Sequence, residues 1–410
     1  MKRHLNFRFI STAMLLFTVF LSGCDKAKMP NFGNVLQRPS SPEMLEYPKS
    51  NITSDTDFRD KSIKEYYTLK VALLLPLSGM NPGLGEDLRK AAVMAVHQAG
   101  LKELDVMFLD SKGSVEGAKS AIIEAKRRGA HLVLGPLFSF EVTAIKPIAQ
   151  AHPPINVVSF STDRFAAGRG VFVMGFMPEQ IIDRAIRFAY SKGKRNFAMF
   201  LPRTQYGTLV AEQANRTLHS LREDSPISVN YTDLNDPVKI DEAVRSLKAQ
   251  MGAADALLVP TGYEDLKLVL PYMKDNEIND LSVKFIGSGR WNDPRLSSIP
   301  LIRGGWFAAP TVQGQKIFNE KFKNSYGRNP PAIASIVYDA VSLAGSIATK
   351  THGEKKFGKI FSLLTQKNGY DGADGLFRFK PSGLVERGLS IVEITKEGLR
   401  PIDPAPTTFD

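Results

Sequence analysis

The chain has 410 residues, of which 43% are hydrophobic and 23% charged, the composition of a folded protein and not of a disordered or fibrous one. At about 100–200 residues per domain it is long enough for two or three domains or lobes, and a mean hydropathy of -0.15 excludes a polytopic membrane protein. The formal charge is +11, and a single cysteine excludes an intramolecular disulfide framework and any multi-cysteine metal site.

The first element is a leader. Lys2, Arg3, His4 and Arg8 make a basic head, and an apolar run from Phe9 to Leu21 leads into Leu21-Ser22-Gly23-Cys24. A run this short does not cross about 30 Å of hydrocarbon as a mature helix but suits the apolar region of a secretory signal. The tetrapeptide resembles the lipobox of bacterial lipoproteins. That resemblance implies cleavage after residue 23, acylation of Cys24 and a place in the periplasm, tethered to the inner or outer membrane. Asp25 resembles an inner-membrane retention signal, while Lys26 after it weakens that reading. Removal of residues 1–23 takes away three positive charges and no acids, leaving +8. Export makes nucleic acid an unsuitable partner for that charge, and an anionic envelope surface or polymer a better one.

Residues 24–66 are rich in Pro, Ser, Asn and Asp without helical or strand periodicity, and read as a flexible tether. About 40 such residues reach about 35 Å.

From Tyr67 the pattern changes. Lys70–Pro76 is a continuous apolar strand, and residues 84–99 place Leu84, Leu88, Ala91, Ala92, Ala95, Val96 and Ala99 on one helical face. A strand near 105–110, a helix near 115–128, a strand at 131–134, a helix from about 139 and a strand at 155–159 follow. After Val171–Phe176 a second set runs strand 196–201, helix 206–222, strand 227–231, helix 238–250, strand 255–259, helix 263–275 and strand 283–287. A strand at Gly305–Ala309, helices at 312–325 and 332–349, and a hairpin-like stretch at Gly375–Lys380 with Gly383 close the series. The alternation predicts an α/β chain: two Rossmann-like lobes with parallel sheets, joined by several crossovers.

Several phrases then resemble the type 1 periplasmic-binding-protein family, the Leu/Ile/Val-binding group, over about residues 67–395. They are Val71-Ala-Leu-Leu-Leu-Pro-Leu-Ser-Gly79, Leu134-Gly-Pro-Leu-Phe-Ser139, Tyr206-Gly207, Val337-Tyr-Asp-Ala-Val341 and Gly375-Leu-Phe-Arg-Phe379. Phe160-Ser-Thr-Asp163, Gly287-Ser-Gly-Arg-Trp-Asn-Asp-Pro294 and Gly305-Trp-Phe-Ala-Ala-Pro310 are similar to phrases of the penicillin-binding-protein activator lipoproteins within that fold. The resemblance implies lobe one at about 67–176 and 305–365, lobe two at about 177–304 and 366–395, and a C-terminal tail at 396–410.

In open parallel sheets ligands bind outside the carboxyl ends of the strands. The loops at those ends carry Ser78, Ser139, Ser159 and Ser161 in lobe one and Tyr206, Thr261 and Arg290 in lobe two. By resemblance, Ser139, Ser159 and Ser161 are candidate donors to a ligand carboxylate and Tyr206 an aromatic wall, although Ser139 equally suits a helix N-cap and Tyr206 a packing role. Where amino-acid binders of the family supply an acid, this chain reads Gly287-Ser288-Gly289-Arg290, with Glu264 or Asp265 the nearest substitutes. Lys112, Arg164, Arg203 and Arg290 put positive charge on the same loops, which suggests an anionic ligand or none, or simply solvated loop tips.

Catalysis is not expected. The histidines show no metal-ligand spacing, and no Gly-x-Ser-x-Gly elbow, P-loop or Gly-x-Gly-x-x-Gly after a strand occurs. No cofactor or metal is called for. The expected partners are the membrane, through the N-terminal lipid, and either a peptidoglycan synthase or an ABC permease, with a small anionic ligand beside them. The reading is a regulator of peptidoglycan synthesis similar to the activators, and the alternative is a transporter's substrate-binding lipoprotein for amino acids or a related small anionic solute.

Overall fold

A computed structural model describes residues 68–99, 104–231, 233–351 and 358–409; the predicted leader, Cys24 and tether lie outside them. The first sheet holds β1 (Leu69–Leu75), β2 (Leu104–Asp110), β3 (Leu132–Leu134), β4 (Asn156–Ser159) and β5 (Val171–Val173), all parallel, in the order β2-β1-β3-β4-β5. Only Lys70 of β1 is exposed, as a central strand covered on both faces requires. The cover comes from α1 (Pro82–Ala99), α2 (Val115–Arg127) and α3 (Ser139–Gln150), each reached by one crossover. Ser114 caps α2 by accepting from the Gly117 N–H, with Glu116 in the first turn and Lys126 and Arg127 in the last.

The second sheet has seven strands in the order β15-β14-β10-β9-β8-β6-β7. Its parallel part is β6 (Phe197–Pro202), β7 (Ile227–Tyr231), β8 (Ala256–Leu258), β9 (Lys284–Ile286) and β10 (Trp306–Ala309). On one face, α4 (Pro178–Ser191) and α5 (Gln205–Ser220) bury Ile182, Ile186, Val210 and Leu218. On the other, α6 (Pro237–Gln250) and α7 (Tyr263–Asp275) bury Val244, Leu247, Leu266 and Met273.

Two allocations differ from the sequence reading. Residues 305–365 were expected in lobe one, but Trp306 pairs with Ile286 of β9 and with Glu393 of β14 (Ser390–Thr395), so β10 belongs to the second sheet. The chain returns to lobe one only with α8 (Val312–Tyr326) and α9 (Ala334–Lys350), whose Phe318, Phe322, Val337 and Val341 enter the first core. Conversely, residues 366–395 were expected in lobe two. After the short helix α10 (Ile360–Leu364), the antiparallel sheet of β11 (Tyr370–Gly372), β12 (Gly375–Phe379) and β13 (Val385–Arg387) packs Tyr370, Phe377, Phe379 and Val385 into the first core. The β12–β13 turn also docks on β5, where the Val173 N–H donates to the Gly383 carbonyl. Gly383 has φ +90°, and a Cβ there would lie 2.3 Å from the Val171 carbonyl oxygen, so only glycine fits.

The expected tail at 396–410 contains β15 (Gly398–Asp403), antiparallel to β14 and tied to α4 by an Arg184–Asp403 ion pair. The chain thus passes between lobes three times among the described residues, at 174–177, 310–311 and 388–389.

Candidate functional site

Between the lobes, beside the first two crossings, lies a cavity of about 300 Å³. Its walls are apolar: Phe176 of the first crossing, Pro178 and Ile181 of α4, Tyr206 of α5, Ala309 of β10, Pro310 of the second crossing, and Ala332. Thr162, Arg290, Asn292 and Gln315 supply the polar groups. Among the described residues Arg290 is the one charged side chain in the lining, which holds no carboxylate.

The strand-end loops place the predicted residues differently. Tyr206 and Arg290 meet at the cavity, the guanidinium 4.6 Å from the centre of the ring. Burial pushes the Tyr206 phenol up, with Ser288 and Arg290 acting against the shift. A short 3-10 turn, Gly289–Trp291, presents Arg290; Ser288 caps it, accepting from the Arg290 N–H at 3.2 Å and donating to the Pro260 carbonyl at 2.8 Å. Among the described residues no carboxylate lies within ion-pair reach of Arg290.

Three of the five predicted hydroxyl groups, those of Ser78, Ser159 and Ser161, are used by the chain itself. Ser159 donates to the Phe172 carbonyl at 3.0 Å, and Ser161 accepts from the Asp163 N–H at 3.0 Å. Ser78 donates to Asp110, which also accepts from the N–H groups of Leu77, Ser78 and Lys112. Burial opposes ionisation of Asp110, yet those donors together hold its carboxyl below the usual range. Ser139 is the first residue of α3 and not its cap; Phe138 occupies that place, its N–H donating to Glu141 at 3.1 Å. Thr261 is buried behind the cavity, where its carbonyl accepts from the Trp291 indole at 3.1 Å. None of these five lines the cavity.

The other loop charges also go elsewhere. Arg164 sits 3.7 Å from Glu179, and neither Lys112 nor Arg203 lines the cavity. Glu264 is held by Arg295 at 2.8 Å, and Asp265 is not in the lining.

Sequence reasoning missed Gln315 and the charge cluster behind it. Asn292 of lobe two donates to the Gln315 side-chain oxygen at 3.1 Å, and the Gln315 amide donates to Asp374 at 3.1 Å. The Gln315 amide is thus held at both ends, its nitrogen by Asp374 and its oxygen by Asn292. Next to Asp374 lie buried Asp339 and Arg387. Asp339 accepts from the N–H groups of Ala373 at 2.6 Å and Asp374 at 3.4 Å. Arg387 donates to the Met174 carbonyl at 2.6 Å and lies 4.4 Å over the Phe176 ring. Asn292, Gln315, Asp374 and Arg387 thus run from a cleft loop to two of the crossings.

Burial, and then the charge of Asp374, push the Asp339 carboxyl up to about 7, with the Ala373 N–H and Arg387 acting against them. The folded state therefore keeps a proton that the unfolded chain loses near pH 4. Stability from this group is full below about pH 4 and is lost as pH rises through about 7. Replacing Asp339 by Asn is expected to remove that fall, by a few kcal/mol across the window. Urea midpoints of the two proteins at a series of pH values check it.

The family described as "Periplasmic binding protein" matches residues 68–398. At the level of sequence no curated protein matches the chain. Among solved structures, one assigned to a branched-chain amino acid ABC transporter of Rhodospirillum rubrum is 18% identical, with a TM-score of 0.72 over 82% of this chain and 100% of that one. The C-domain of LpoA from Haemophilus influenzae, a regulator of PBP1A, is 18% identical, with a TM-score of 0.60 over 81% and 99%. An ABC-transporter solute-binding protein from Rhodopseudomonas palustris BisB5, in complex with 3,4-dihydroxybenzoic acid, is 18% identical, with a TM-score of 0.56 over 84% and 97%. At these identities the likeness is one of fold.

Proposed function

Since the chain belongs to the periplasmic binding protein family, we propose that it is a non-enzymatic regulator of peptidoglycan synthesis, acting by contact with a penicillin-binding protein. In this reading Cys24 carries the lipid that holds the protein to a bacterial membrane, and residues 24–66 are the tether. The observation that carries the reading is the chemistry of the cleft. An amino acid brings a carboxylate and an ammonium group, and an ammonium left unpaired in a closed cleft costs several kcal/mol. Among the described residues the cavity lining offers no carboxylate, and Ser78, Ser159 and Ser161 are engaged by other groups of lobe one. The likeness to the LpoA C-domain, a regulator of PBP1A, agrees with this role.

The purified chain is expected to bind a bifunctional penicillin-binding protein and to raise its rate of glycan polymerisation. A rate unchanged at saturating chain would count against the reading.

One observation favours a second reading, a receptor that delivers a solute to an ABC permease. Among the described residues Arg290 stands free of carboxylates in a largely apolar cavity, an arrangement suited to a small aromatic carboxylate such as the ligand of the R. palustris protein. If the cleft takes such a ligand, Arg290→Met is expected to weaken calorimetric binding of an aromatic carboxylate by at least about tenfold, the scale of a charge-assisted hydrogen bond.

A further inference from the structure

A wide concavity lies on lobe two, apart from the cleft and sharing none of the residues that line it. It has a volume of about 850 Å³, against about 300 Å³ for the cleft cavity. One wall is α7, through Leu266 and Leu270; the other is formed by two 3-10 turns, Pro294–Ser298 and Pro300–Ile302, and presents Ile299 and Leu301. At its edge Leu281 is 94% exposed, more than any other large apolar side chain among the described residues. An apolar side chain so placed gains by being covered.

The rim carries charge of one kind along α7. Lys267 and Lys274 are seven residues apart and so share a helix face. Among the described residues neither has a carboxylate within ion-pair reach; Lys267 lies only over the Tyr263 ring, at 5.5 Å. These lysines line the length of a groove whose floor is apolar. The shape is concave and accepts a ridge of side chains, which a flat bilayer does not present.

We propose that this groove docks an amphipathic segment of a partner protein, its apolar ridge seated between α7 and the 3-10 turns and its flanking carboxylates paired with Lys267 and Lys274. The proposal rests on the regulatory reading above and names the surface through which it works. Helix-in-groove recognition of this kind uses apolar anchors at i, i+3 or i+4 and i+7, and complementary rim charge adds to the on-rate and to specificity.

The test measures binding of the full chain to a purified bifunctional penicillin-binding protein. Leu281→Asp and the pair Lys267→Glu with Lys274→Glu are compared with the wild type, all of them exposed positions whose replacement leaves the core intact. Each variant is expected to weaken binding at least tenfold, and the lysine pair to lose most of its effect at 0.5 M salt. No binding by the wild type would overturn the regulatory reading itself. Wild-type binding that both variants retain would overturn the groove alone. Vesicles of phosphatidylglycerol mixed with phosphatidylethanolamine serve as the second probe. If Leu281→Asp abolishes vesicle binding and leaves protein binding intact, the groove is a membrane contact and the proposal is wrong.

Discussion

Replacing Arg387 by methionine is expected to destabilise the folded chain by about 3–5 kcal/mol, the loss seen when one partner of a buried charged group is removed. Arg387 ends β13 and is buried with Asp339 and Asp374. Among the described residues its guanidinium is the positive charge that acts on both carboxylates. It also ties the first crossing to the third, through the Met174 carbonyl and through its own N–H, which donates to Gln180 of α4 at 3.0 Å. Methionine fills much of the same volume, so the loss is electrostatic and not a cavity effect. Without the cation both carboxyls are driven to take protons, which costs more as pH rises. The deficit is therefore expected to be larger at pH 8 than at pH 5, in urea unfolding followed by tryptophan fluorescence. Adding Asp374→Asn to Arg387→Met is expected to recover part of it, because one uncompensated charge is then gone.

The second large effect is expected at Trp291. It is fully buried, and its indole N–H donates to the Thr261 carbonyl at 3.1 Å. Trp291→Ala is expected to cost about 3–5 kcal/mol, from lost burial, the cavity left behind and an orphaned buried carbonyl. The indole lies flat against Gly287, where a Cβ would come within 2.0 Å of Trp291 Cδ2. Gly287→Ala therefore has to displace the same ring, and is expected to destabilise in the same direction. Because Arg290 precedes Trp291 in one 3-10 turn, both changes are also expected to move the Arg290 charge in the cavity lining. Thermal unfolding of each variant gives the stability, and the fluorescence of the remaining Trp306 in Trp291→Ala reports whether the second sheet survives.

Much of the fold was legible because it follows from burial alone. The run Leu69–Leu75 breaks its apolar character only at Lys70, as a doubly covered strand must, and the helical spacing of Leu84, Leu88, Ala91, Ala92 and Ala95 names its buried face. The partner of each strand was less visible. Gly305–Ala309 reads as a strand whichever sheet receives it, and its antiparallel partner lies some eighty residues later, in β14. The strand β15 lies in the segment expected as a tail, because a short edge strand such as Gly398–Asp403, with Pro401 inside it, carries little apolar signal.

At the site, loops were legible and hydroxyl directions were not. Strand-end geometry located Tyr206 and Arg290 by residue type and place. Whether Ser159 faces a ligand or the Phe172 carbonyl depends on one χ1 rotation, which no spacing encodes. Gln315 looked like any polar residue on the exposed face of an amphipathic helix. Asp339 did carry a signal, an acid inside the apolar run Ile336-Val-Tyr-Asp-Ala-Val341, but nothing in the run identified Asp374 and Arg387 as its neighbours.

The central claim, that the family's cleft serves here without an amino-acid ligand, is tested most directly by native mass spectrometry of the purified chain, followed by calorimetric titration with leucine, isoleucine and valine. The predicted result is a bare chain mass and no heat above dilution. A stoichiometric co-purified amino acid, or one-to-one binding of any of the three at micromolar affinity or tighter, would contradict it.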